Sequence, residues 1–210
     1  MGYIGNYTYT CKLGKLAEMP LDKWMKEMEK GHARVSPYRL EDSERKAWED
    51  CFFRLQACVK ELPPAFWKLD AVFEYVYPSI KPGRKGAEKD NGTRADVLII
   101  SKKTVMVLEF KNREDVFIGH VRQARKYRNR TQDFHKESVG MNKKAILVLS
   151  KAENFRAQYS KVSVRSADLL AEELGCLFEQ EPEPHGNIRN WLASEFAAKP
   201  EKKKSVRSET

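Results

Sequence analysis

The clearest periodicity in the chain lies between residues 44 and 62. There Ala47, Trp48, Cys51, Phe52, Leu55, Cys58, Val59 and Leu62 recur at the three- and four-residue spacing of one helix face. Ser43 stands where an N-cap belongs, and Pro63-Pro64 ends the helix. Three strand-like runs follow. Ala71–Tyr77 is aromatic and β-branched and stops at Pro78, while Arg94–Ile100 (RADVLII) and Thr104–Lys111 (TVMVLEFK) are joined by the polar turn Ser101-Lys102-Lys103. Ser79–Thr93, rich in Gly, Lys and Asp, reads as a loop longer than a hairpin needs. Phe117 to Arg130 has the pattern of a basic amphipathic helix, and Lys144–Ser150 (KAILVLS) is the apolar run of a strand covered on both faces.

Weaker signals lie at both ends. Leu21–Lys30 predicts a short helix terminated by Gly31, and Ser166–Leu174 and Ile188–Ala198 predict two helices around an acidic proline loop, Glu179–His185. The central order is helix, three strands, helix, strand, and the last strand returns after a helical crossover. That order predicts an α/β fold with a mixed sheet flanked by helices. The expected division is an N-terminal extension over residues 1–42, a domain over 43–198 and a disordered basic tail over 199–210.

Composition narrows the function classes. A chain of 210 residues, 41% hydrophobic, can bury one sizeable core. No run of about 18 apolar residues occurs, so no membrane span is expected. The N-terminus lacks the basic-then-apolar pattern of a secretory signal, and the four cysteines show no C-x-x-C spacing. The expectation is a cytoplasmic protein with buried free thiols. Lys and Arg exceed Asp and Glu by 39 to 30, a net charge of +9, which favours a polyanionic partner. Part of that excess sits in the tail, so its placement matters more than its sum.

The chemistry concentrates on the second and third strands. With the turn at Ser101–Thr104, Ile100 faces Val105, Leu98 faces Val107 and Asp96 faces Glu109. Opposed Cβ atoms lie roughly 4.5–5.5 Å apart, so two like charges would sit side by side. Glu109 and Lys111 share a face, with Phe110 turned the other way. An Asp, a Glu and a Lys on one patch suit Mg²⁺, which takes one or two carboxylates and completes its shell with water and phosphate oxygens. The amine can orient or deprotonate an attacking water and stabilise charge at the phosphate. An E-x-K triplet alone arises by chance roughly once in such a chain; an apolar strand around it and an Asp opposite make it informative. The alternative is a solvated hairpin tip or a structural ion pair.

These residues resemble the PD-(D/E)XK nuclease superfamily, with Arg-Ala-Asp in place of Pro-Asp, and the element order is similar to that superfamily's restriction-endonuclease-like core. The resemblance implies a metal-dependent nuclease in which Asp96 and Glu109 hold Mg²⁺ (or Mn²⁺), the Phe110 carbonyl adds a ligand and Lys111 assists the water. On a helical wheel Glu44 falls inside the apolar stripe, whereas Glu49 falls outside it. Glu44 therefore reads either as the first-helix acid such nucleases use near the metal or as a cap-turn acid favoured by the helix dipole. Gln123 and Tyr127, one helical turn apart, look like the Q-x-x-x-Y element of the RecB-like branch. Arg122, Arg125, Lys126, Arg128 and Arg130 around them suit phosphate contacts, or form a solvated basic face.

FEYVYP, R-x-D, E-x-K, Q-x-x-x-Y and DFH-x-x-S together resemble nuclease-like domains found in front of certain bacterial helicase-like proteins. In that frame Glu74 and Arg94 form a salt bridge beside the site, with metal contact by Glu74 as the alternative. The resemblance spans about Ser43 to Ser150. It implies a nucleic-acid partner, DNA favoured, and leaves a helicase partner and a homodimer open. The four histidines lack the spacing of an HNH site, and no phosphate-cradling Gly loop is present. The competing class is a non-catalytic nucleic-acid-binding module or a partner-dependent subunit of the same fold.

Overall fold

A computed structural model describes residues 6–77, 94–178 and 182–194. The expected loop Ser79–Thr93 and the basic tail lie outside the described residues. Seven strands form one mixed sheet in the order β1-β2-β3-β4-β5-β7-β6. They are β1 (Tyr9–Lys12), β2 (Asp70–Val76), β3 (Arg94–Ile100), β4 (Thr104–Lys111), β5 (Asn142–Leu149), β6 (Arg156–Tyr159) and β7 (Val162–Ser166). The helices are α1 (Leu13–Glu18), α2 (Leu21–Val35), α3 (Asp42–Glu61), α4 (Ile118–Phe134), α5 (Leu170–Leu177) and α6 (Ile188–Ala193). The chain is thus mixed α/β, with helices on both faces of an open sheet. No helix among the described residues is long and apolar enough to cross a membrane.

Two core layers sandwich the sheet. On one face α1, α2, α3 and α5 cover Val97, Ile99, Met106, Leu108, Ile146 and Val148. On the other, α4 and α6 cover Leu98, Ile100, Val105, Val107, Leu147 and Leu149. The alternation is the period-two rule at work: each of these strands is apolar on both sides because both sides are covered. β2, β3 and β4 form an antiparallel meander, and β5 returns parallel to β4 after α4. This crossover is what the sequence order predicted.

Several boundaries differ for identifiable reasons. Helix α2 runs through Gly31 to Val35 instead of stopping there. Gly31 is needed for space: a Cβ on it would lie 1.7 Å from the Thr8 carbonyl oxygen, where the chain enters β1. The N-terminal segment supplies an edge strand, since β1 pairs antiparallel with β2. The N-cap of α3 is Glu41, not Ser43. Glu41 and Glu44 exchange side-chain-to-backbone bonds in a capping box, an arrangement that a glutamate can complete as well as a serine. Ala47, expected in the buried stripe, is exposed, whereas Trp48, Cys51, Phe52, Leu55, Cys58 and Val59 are buried. Cys11 is buried too, but Cys176 is exposed. α6 is described only to Ala193; the rest of the expected helix to Ala198 includes residues outside the description.

Candidate active site

The β3–β4 ladder has the register that the turn imposes, with Ile100 opposite Val105, Leu98 opposite Val107 and Val97 opposite Leu108. It ends there, one pair before Asp96 and Glu109, where pairing was expected to continue. At that point the Asp96 Oδ2 accepts a hydrogen bond of 2.7 Å from the Phe110 N–H. A side chain has taken over a bond that a regular ladder would give to backbone.

The neighbouring strand explains the departure. Glu74 has φ +52°, a conformation that non-glycine residues adopt rarely and at a cost of order 1–3 kcal/mol. It interrupts the alternation of β2. Phe73 and its partner Val97 belong to the core layer under α3, but Tyr75 and its partner Ala95 belong to the layer under α4. Glu74 and Asp96 therefore sit where β2 and β3 both change face.

Around this point the structure gathers four carboxylates and two cations. Lys111 Nζ lies 2.6 Å from Glu109 Oε1. Arg94 Nε lies 2.5 Å from Glu74 Oε2, and its Nη2 donates to Glu44 Oε1 at 2.8 Å. Glu109 is fully buried and Glu74 nearly so, whereas Asp96 and Lys111 are partly open to solvent. The Oε2 atom of Glu109 has no hydrogen-bond partner among the described residues. With every group ionised, two negative charges remain uncompensated.

The electrostatics follow from that imbalance. Burial pushes the Glu109 carboxyl well above its usual range, and the Asp96 charge pushes it further, against the pull of Lys111. Burial likewise raises Asp96, opposed by Lys111 and by the Phe110 N–H. Glu74 is driven up to about 8 by burial, against the attraction of Arg94. For Lys111, burial favours the neutral amine, but Asp96 and Glu109 outweigh it and hold the ammonium charged above its ordinary range.

The remaining predicted residues divide. Glu44 serves the cap and Arg94 together, and although burial opposes it, the bond from Arg94 keeps its carboxyl below the usual range. It acts as a partner of Arg94, with both of its oxygens engaged. Gln123 Nε2 donates to the Tyr127 hydroxyl at 2.9 Å, and Tyr127 is buried in a stack on Tyr77 at 5.6 Å between ring centroids. Burial raises the Tyr127 hydroxyl to about 12, with the charge of Glu109 adding to the effect, so this pair adjoins the carboxylates.

The basic cluster on α4 is not one surface. Arg122, Arg125 and Lys126 are exposed. Arg128 is only half-exposed and donates to the Lys143 carbonyl, strapping α4 to β5, and Arg130 is half-buried beside Tyr77. Helical geometry separates them: five basic residues within nine positions cannot share one face.

Trp48 and His32 escaped the sequence reading. Trp48, read as packing, also hydrogen-bonds Glu74. His32 is buried at 5.8 Å from the Trp48 ring, with Glu44 and Arg94 acting on it. No local signal in α2 marks His32, because the contact depends on how α2 lies on α3. Within DFH-x-x-S, His135 bonds Ser138 and the Trp191 carbonyl, tying the end of α4 to α6.

Among the described residues, no three His, Cys, Asp or Glu side chains converge as a ready metal cage. An ion here would be held by the two carboxylates of Asp96 and Glu109, with other oxygens completing its shell, which is the habit of Mg²⁺. The unpartnered Glu109 oxygen and the two surplus negative charges fit a divalent cation. The search for relatives gives no help with identity: no family model, no curated protein and no solved structure matches this chain.

Proposed function

We propose that the chain is a metal-dependent nuclease with a restriction-endonuclease-like core, hydrolysing phosphodiester bonds of nucleic acid, DNA favoured. The observation that carries this reading is the buried Glu109 carboxylate. It is salt-bridged to Lys111, it is repelled by Asp96, and one of its oxygens has no hydrogen-bond partner among the described residues. Such an arrangement is expensive in a protein built only for stability, because a buried carboxylate without compensation is strongly disfavoured. A divalent ion would relieve it.

In this reading Asp96 and Glu109 bind Mg²⁺ or Mn²⁺, with the carbonyl of Phe110, between Glu109 and Lys111 in the chain, as a further ligand. The ion would supply Lewis-acid polarisation of the phosphate and a more acidic bound water. Lys111, held charged by its two acidic neighbours, orients the water and stabilises charge on the phosphate; as an ammonium it does not serve as the base. Arg94 fixes Glu74 and Glu44 behind the site, so that neither is free to compete for position. Gln123 and Tyr127 hold the α4 side of the site, and Arg122, Arg125 and Lys126 contact phosphates.

A second reading is a non-catalytic nucleic-acid-binding module or a subunit that needs a partner such as a helicase: the net charge of +9 and the exposed Arg122, Arg125 and Lys126 serve nucleic-acid binding without any metal. Cleavage of plasmid and linear DNA separates the two. Under the nuclease reading, products appear only with added Mg²⁺ or Mn²⁺ and vanish in Asp96→Ala and Lys111→Ala. Activity that survives either substitution rejects the mechanism, and a DNA shift without cleavage in both metals favours the module.

A further inference from the structure

β4 leaves the site at Lys111, and two residues later Arg113 begins a short loop that ends at the first turn of α4. Two residues span at most about 7 Å, so Arg113 stays close to the mouth of the site. Its guanidinium lies 5.9 Å from the centroid of the Phe117 ring, within cation–π range. The His120 ring lies 5.1 Å from the same centroid, edge to face. Phe117 is 53% exposed beside these polar side chains, and Ile118 next to it is also exposed.

A Cβ on Gly119 would come within 2.5 Å of the Phe117 ring, so the ring lies against the first turn of α4. His120 is tied to the catalytic side of this group: burial lowers its pKa, and the positive charges of Lys111 and Arg113 lower it further. Its Nδ1 has no hydrogen-bond partner among the described residues. Positive charge near the exposed ring thus comes from Arg113, beside it, and from Lys111, two residues earlier in the chain, while the lowered pKa of His120 keeps its imidazole toward the neutral form. The exposed acids Glu114 and Asp115 follow Arg113 in the chain and interrupt the positive charge there.

We propose that Phe117, flanked by Arg113 and His120, is a stacking platform for an unpaired base, so that the substrate strand enters the site as a single strand or a frayed end. The proposal rests on the nuclease reading and names its substrate class. A pre-seated aromatic among cations is the device that recognises single strands without reading sequence, because every base offers a π face. A paired base within an intact duplex keeps its faces stacked on its neighbours and cannot use the platform.

The test uses the full chain with a short single-stranded DNA containing 2-aminopurine and its duplex counterpart, with Ca²⁺ in place of Mg²⁺ to hold off cleavage. The expected result is quenching on the single strand and a preference for it over duplex. Phe117→Ala should weaken single-strand affinity by roughly ten- to a hundredfold while leaving duplex affinity unchanged, and Phe117→Trp should retain it. Phe117→Leu keeps apolar bulk without a π face and carries the comparison if the alanine variant melts early. Equal affinity of Phe117→Ala and the parent, an equal loss on duplex, or no binding of either probe overturns the proposal. The two readings fail separately. Phe117-dependent quenching with DNA left uncut in Mg²⁺ and Mn²⁺ removes the nuclease and keeps the platform. Metal-dependent cleavage of single strands that ignores Phe117→Ala does the reverse.

Discussion

The two ends of the β3–β4 hairpin carry ion pairs of the same length in opposite circumstances. At the turn, Lys102 and Glu183 meet at 2.6 Å with both side chains exposed. Around them the backbone is satisfied: Ser101 Oγ accepts from the Thr104 N–H, and the Lys102 N–H bonds the Glu183 carbonyl. At the open end, Lys111 and Glu109 also meet at 2.6 Å, but Glu109 is fully buried. There the ladder stops early, Glu74 takes a rare backbone conformation, and a carboxylate oxygen lacks a hydrogen-bond partner among the described residues. Water screens the first pair to near irrelevance. The second pays desolvation in full, so distance alone says nothing about what a pair does. Strain and uncompensated charge gather at one end of an otherwise regular hairpin, and that is the physical support for placing the proposed site there.

The sharpest way to break this contrast is Glu109→Gln. Under the nuclease reading, cleavage of DNA in Mg²⁺ should fall by about a thousandfold or more, since the proposed metal ligand and the partner of Lys111 are both altered. The melting temperature in EDTA should not fall, because the amide matches the protonated acid that burial already favours. A large loss of stability without metal would mean that the carboxylate is structural.

Arg94→Met should be the most damaging change to stability. It strands Glu74 and leaves Glu44 without its strongest partner, a loss on the order of 3–5 kcal/mol in a denaturant melt. Arg94→Lys should recover only part of it, because one ammonium cannot reproduce the fork that meets both acids.

The pH dependence has a definite sign. Glu74 has a folded-state pKa of about 8 against 4.5 for the free side chain, so the native state holds a proton that the unfolded state has lost in that window. Metal-free stability should therefore be full below about pH 4.5 and decline as pH rises through 8, by a few kcal/mol at most. Asp96 and Glu109 are shifted in the same direction and add to the decline. Mg²⁺ should oppose it and bind more tightly as pH rises, because it competes with those protons. Thermal melts across pH, with and without the ion, measure both effects. At the other end of the hairpin, Lys102→Ala should leave cleavage and melting temperature unchanged.

The legible part of the site was the part set by local geometry. A short polar turn fixed the hairpin register as far as Val97 and Leu108 and carried Asp96 beside the strand that bears Glu109 and Lys111, although the pairing of Asp96 with Glu109 counted from the turn does not form. The Glu44 position on the α3 stripe was likewise readable, because a helix repeats regularly. The illegible part depended on breaks in those periods. Nothing in FEYVY marks the positive φ of Glu74, and counting along β3 cannot anticipate a strand that changes face. The basic run on α4 read as one surface because sequence shows density of charge; burial against β5 turned Arg128 into a strap. Gly31 looked like a helix stop, although its reason was the close approach of residue 8.

By itself, the sequence determined the meander, the crossover to a parallel strand and the three side chains at its open end, since each follows from neighbours within one turn or one hairpin. Only the tertiary structure decided that Arg94 would be shared between Glu74 and Glu44, that His32 and Trp48 would close the back of the site, and that Phe117 would stand exposed beside it. Those choices depend on how α2, α3 and α4 lie on the sheet. Packing of that kind joins residues far apart in the chain, and no local period records it.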